Sequence, residues 1–84
     1  MNSFSLSIVG VDHVYYQGPA VACTVRTTTG QRTFEAHHEP FASVLVAGPL
    51  SIVEEGGSHV SVTVDSGLVR MDRGSCVIIV NSGD

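Results

Sequence analysis

The residues best able to do chemistry cluster in one short stretch, His37-His38-Glu39, with His13 and His59 elsewhere in a chain of 84 residues. Imidazoles joined by a carboxylate are a donor set for zinc or iron. Neighbouring residues on extended backbone point to opposite faces, so His37 and His38 are poorly placed to hold one ion together. Nucleophilic catalysis has less to work with. Ten serines are present, but none stands in a Gly-x-Ser-x-Gly elbow. Glu54 and Glu55 precede Gly56-Gly57 and read as a solvated hairpin tip. The chain has no Lys, so no Gly-x-x-x-x-Gly-Lys phosphate loop can be completed. Cys23 and Cys76 each lie inside an apolar run, in neither a Cys-x-x-Cys pair nor metal spacing to a His, and read as buried free thiols on strands. The residues therefore point to a binding module with no catalytic residue, metal or cofactor of its own.

Composition says what must position these groups. The chain is 43% hydrophobic and 14% charged, with fourteen Val, four Ile and six Thr. Branched side chains lose rotamer freedom in helices and suit a pleated, half-buried surface, so the expected class is all-β in a single domain over residues 1–84. The net charge is −4, and Arg26, Arg32, Arg70 and Arg73 are the only fixed cations. No basic stripe exists to neutralise nucleic-acid phosphates or an anionic membrane surface. Residues 1–11 lack a basic leader and alternate Ser with apolar residues, so no signal peptide or membrane span is expected there, and the chain reads as cytosolic.

Period-two alternation marks the strands. Phe4, Leu6 and Ile8 share a face opposite Ser3, Ser5 and Ser7. Val14 to Gln17 forms a second strand ended by Gly18 and Pro19, and a third places Val21, Cys23 and Val25 together before a turn at Thr29-Gly30-Gln31. Arg32 to Glu35 completes a hairpin. Ala36 to Phe41 breaks the alternation and, with Pro40 biasing Glu39 away from helix, crosses between strands. Further strands follow at Ser43–Ala47, Leu50–Glu54, His59–Val64, Leu68–Met71 and Cys76–Val80. About ten short, mostly antiparallel strands at this spacing predict a two-sheet β-sandwich, its edges guarded by polar segments near the termini or covered by a partner.

In order along the chain, these landmarks resemble the N-terminal β-sandwich domain of the epsilon subunit of F-type ATP synthases, called delta in mitochondria. Val14-Tyr15-Tyr16-Gln17-Gly18 and Thr27-Thr28-Thr29-Gly30 match its opening strands. Gly30, His38 and Pro40, then Ser43 to Ala47, Gly48, Leu50 and Ile52, fall at the spacing of its most characteristic stretch. Val62 to Met71, centred on Ser66-Gly67-Leu68-Val69, resembles its later Gly turn, and Val77 to Val80 its last strand. Thr33, Phe34, Glu35 and Ala36 replace the family's Gly, Ile, Leu and Pro, which implies that residue 33 needs no positive φ.

The resemblance implies a non-catalytic central-stalk subunit that docks on gamma and on the c-ring to couple rotation to ATP synthesis or hydrolysis. It implies a place in the cytoplasm, peripheral to the inner or plasma membrane through the complex. It assigns the ring-facing tip to Thr29, Gly30, Gln31 and Arg32, and the gamma-facing patch to His38 and Pro40. Such subunits continue into a C-terminal helical hairpin, so a chain ending at Asp84 is expected to lack that inhibitory segment. The alternative is a stand-alone sandwich that binds another partner, homodimeric or His-metal-binding in the manner of the small β-barrel cupins. Cupin motifs need His-x-His and a later Pro-x-Gly followed by His, which this chain lacks after Gly67.

Overall fold

A computed structural model describes residues 2–81. Eight strands form: β1 (Phe4–Val9), β2 (Val14–Thr27), β3 (Gly30–Glu35), β4 (Phe41–Leu45), β5 (Gly48–Glu54), β6 (His59–Val64), β7 (Gly67–Asp72) and β8 (Ser75–Val80). There is no helix among the described residues, in agreement with the all-β expectation.

The count is eight because Gly18 and Pro19 do not end a strand. β2 runs for 14 residues straight through them, with Pro19 opposite Ser5 and Gly18 opposite Leu6. The chain turns a corner just beyond, where the register against β5 slips between Ala20 and Ala22. The first half of β2 pairs with β1, while the second half pairs with β3 and β5. One layer is thus β2-β1-β8-β7-β4 and the other β3-β2-β5-β6, with β2 shared. The slip also shifts the alternation. Ala20 and Cys23 are both fully buried although three positions apart, and Val21, expected to share the inner face with Cys23, is left half-buried.

All pairings are antiparallel except β1 with β8, which run parallel from Ser5–Ser75 to Val9–Ile79. The two terminal strands therefore lie in mid-sheet. The edges are elsewhere: β3 pairs only with β2 and β6 only with β5 among the described residues, so polar terminal segments do not guard them. β5 begins at Gly48 rather than Leu50, and Pro49 fits because it stands opposite Thr63 at a position making no hydrogen bond to β6. That phase follows from Glu54 N–H donating to the Ser58 carbonyl (2.8 Å), which makes alternate pairs from 54–58 onward the bonded ones.

Between the layers lies one core, with Phe4, Leu6, Ile8, Val69, Met71, Cys76, Ile78 and Val80 on one side and Cys23, Val25, Phe34, Leu50, Ile52, Val62 and Val64 on the other. Every buried side-chain polar atom is satisfied among the described residues. Gly67 sets how closely β7 approaches its neighbours, pairing with Leu45 on one side and Val80 on the other. A Cβ on Gly67 would run into the backbone carbonyl oxygen of Ile79, which cannot move without breaking the ladder. Gly67→Ala is expected to lower unfolding free energy by at least about 2 kcal/mol, measured by urea titration, whereas Gly74→Ala, whose added methyl meets open space, should change it by under about 1 kcal/mol.

Candidate partner interface

The β2–β3 tip is built by its threonines. Thr27 is buried, and its hydroxyl donates to the Gly30 carbonyl (2.8 Å) while accepting from Thr29 N–H (3.1 Å). Gly30 takes φ 118°, and neither Thr28 nor Thr29 has a positive φ, the pattern of an ordinary turn closed by a glycine bulge rather than a mirror-image turn. Thr29, Gly30, Gln31 and Arg32 are left exposed. Thr28 N–H donates to the Val44 carbonyl (3.1 Å) and Val46 N–H to the Arg26 carbonyl (3.1 Å), which fastens the tip to β4.

Residues 36–40 cross to β4 through a tight turn in which His38 N–H donates to the Glu35 carbonyl (3.2 Å) and His37 takes φ 67°. Thr33 lies mid-strand with no positive φ, as expected from its replacing glycine. His38 is half-buried, its ring edge-on to fully buried Phe34 at 5.0 Å and 6.4 Å from Phe41. Its Nδ1 donates to the Glu39 carbonyl (2.7 Å). Arg32 lies over the Phe41 ring at 5.7 Å, so the hairpin and the crossing meet at one aromatic cluster. Pro40 is exposed beside it.

The other histidines go elsewhere. His13 meets the Tyr15 ring edge-on at 4.5 Å, His59 opens β6 opposite Val53, and His37 is exposed on the turn. No three His, Cys, Asp or Glu side chains converge among the described residues, which removes the geometric support for a His-metal reading. Cys23 and Cys76 are buried and unbonded. Burial pushes both thiols up to about 12, Cys23 also feeling the charge of Cys76. The Tyr16 hydroxyl donates to Glu54 (2.9 Å) and is likewise pushed up to about 12, by burial first and the Glu54 carboxylate second. None of these groups is poised for chemistry near neutral pH.

A surface that residue typing missed lies on the outside of the β1-β8-β7-β4 layer. The registers bring Val44, Leu68, Ile79, Val9 and Val14 into a single row across five strands, about 19 Å at the usual strand spacing. Val44, Leu68, Ile79 and Val14 are about half exposed, and Val11 in the adjoining turn is 97% exposed. The next row, Ala42-Arg70-Val77-Ser7, is mixed, and the one beyond, Asp72-Ser75-Ser5, is polar. An open groove of about 600 Å³ follows the apolar end and shares Ala42 and Arg70 with a second depression lined by Pro40 and Phe41. The tip, the crossing and the apolar row are therefore contiguous through β4. The signal was present in Cys76–Val80, whose unbroken apolar run marks a strand whose two faces both expect cover.

The family model described as the ATP synthase, Delta/Epsilon chain, beta-sandwich domain matches residues 3–83. The ATP synthase epsilon chain of Shouchella clausii is 32% identical over 71 residues, covering 84% of this chain and 53% of the relative. A chain of the Euglena gracilis mitochondrial ATP synthase, in an assembly of OSCP, F1 and c-ring, superposes with a TM-score of 0.91 at 25% identity, covering 98% of this chain and 52% of that one. A chain of the Tetrahymena thermophila mitochondrial central stalk and c-ring shares the fold, with a TM-score of 0.80 at 17% identity, covering 99% of this chain and 66% of that one. The chain spans about half the length of the first two.

The raised pKa values of these three groups set a pH window. Free thiols titrate near 9.0 and free tyrosine near 10.0, but the folded chain holds these protons to about 12. The folded state binds more protons in that interval, so the contribution is complete below pH 9 and is lost as pH rises toward 12. The urea midpoint is expected to be lower at about pH 10.5 than at about pH 8, and both thiols to resist a thiol reagent at about pH 8 until urea is added.

Proposed function

Because the chain belongs to the family of ATP synthase delta/epsilon-chain β-sandwich domains, we propose that it acts as a non-catalytic central-stalk subunit of an F-type proton-translocating ATP synthase. In this reading it docks on a gamma subunit and on the c-ring and couples rotation to ATP synthesis or hydrolysis. It works on the cytoplasmic side, peripheral to the membrane through the complex.

The observation that carries the reading is the outer apolar row. Five hydrophobic positions aligned across a sheet, with Val11 beside them, are costly to leave in water and mark an interaction surface. The row borders the crossing that holds His38 and Pro40, so these residues and the row form one gamma-facing surface. The fastened tip of Thr29, Gly30, Gln31 and Arg32 is polar and suits the polar loops of a c-ring. A rigid sandwich with satisfied buried groups and no acidity tuned near neutrality suits a part that transmits force rather than one that reacts.

Gentle purification of the tagged chain from its source cell is expected to recover ATPase subunits, gamma among them. Leu68→Asp with Ile79→Asp should reduce that recovery at least about tenfold while leaving the melting temperature near that of the parent, since both side chains face outward. Recovery free of every ATPase subunit would overturn the proposal.

A further inference from the structure

We propose that Val11 is an anchor, a side chain held out from the β1–β2 turn to enter an apolar socket on the gamma subunit beside the contact that covers the outer apolar row. The inference rests on the stalk reading, since gamma is the partner it names.

An exposed valine alone means little, because single apolar residues are common on surfaces. Val11 differs in place and in setting. Val44, Leu68, Ile79 and Val14 lie in the sheet face and are each about half exposed, whereas Val11 is 97% exposed and stands clear of it. The other described hairpins turn through polar residues and glycine, at Thr28-Thr29, Glu55-Gly56-Gly57-Ser58 and Arg73-Gly74. Only the β1–β2 hairpin among them carries a large hydrophobic residue at its tip. Val9 and Val14, which flank the turn, are the last two members of the row, so one partner surface reaches both the row and Val11.

The turn is built to hold its shape. Ile8 faces Tyr16 but Val9 faces Val14, so Tyr15 is an extra residue on β2, a bulge at the end of the ladder. Without that slip Tyr15 would face Val9 on the outside, and Val14 would take the inward phase and leave the row. With it, Tyr15 folds over Gly10, its ring reaching within 3.0 Å of where a Cβ on Gly10 would stand, and packs against the core. His13 meets that ring edge-on at 4.5 Å. Gly10 N–H donates to the His13 carbonyl (2.7 Å), which closes the turn with Val11 and Asp12 at its tip. A branched side chain with one rotatable bond, on a turn already closed, loses little freedom on docking. Asp12 stays at the rim of the contact, in water.

Recovery of gamma with the tagged full chain from its source cell tests the anchor. Val11→Asp is expected to reduce that recovery at least about tenfold, and Val11→Ala about threefold or more, with melting temperatures near that of the parent because the side chain has almost no contact in the free chain. Ser61→Asp, exposed on the opposite layer, should leave recovery unchanged. A photoreactive side chain at position 11 is expected to crosslink to gamma in native membranes. Gamma recovery undiminished by Val11→Asp, or reduced as much by Ser61→Asp, would overturn the anchor while the stalk reading stands. So would a crosslink from position 11 to other subunits alone. A parent chain that brings down no ATPase subunit would overturn the stalk reading and the anchor with it.

Discussion

The fold depends on one corner. β2 is long enough to serve both layers only because its register slips between Ala20 and Ala22, and that slip turns the strand and moves its inward-facing phase by one residue. Without it, the alternation that buries Ala20 would put Cys23 and Val25 on the outside of the second layer. With it, one strand gives β1 a neighbour in the first sheet and gives β3 and β5 a neighbour in the second. The Thr27–Leu45 pairing at the far end of β2 then returns the chain to β4 and closes the ladder.

Much of this was legible in the residues, because half-buried strands write their burial into a two-residue rhythm. Phe4, Leu6 and Ile8, Val62 and Val64, and Cys76, Ile78 and Val80 all lie inward as their alternation says. What was not legible depends on partners distant in sequence. Gly18 and Pro19 read as a strand end, yet a strand can carry them where a corner follows and the partner's bonds fall on other residues. The parallel β1–β8 pair leaves no local mark, so the terminal strands looked like edges when they lie in mid-sheet. The candidate site divides in the same way. The Thr27–Arg32 tip was readable as a glycine turn, and His38 as part of an irregular crossing. The apolar row was not, because Val44, Leu68, Ile79, Val9 and Val14 come from five strands and meet only through register.

The two layers thus present different exteriors. Outside the first, hydrophobic residues gather at one end and grade into Arg70, Asp72 and Ser75 at the other. Outside the second, Thr33, Thr24, Ser51 and Ser61 line up across four strands, Thr24 and Thr33 sharing a hydroxyl hydrogen bond of 2.9 Å. A hydroxyl surface is content in water, whereas the hydrophobic end of the first layer is not. This asymmetry is why docking is assigned to the first layer, with β4 linking it to His38, Pro40 and the tip.

The most direct test of that assignment is site-specific photocrosslinking in native membranes, with a photoreactive side chain at position 68. Leu68 lies in the row between Val44 and Ile79, so a gamma subunit docked on the row is expected to crosslink to it. A reporter at position 68 that labels only solvent, or only proteins outside the ATP synthase, would contradict it.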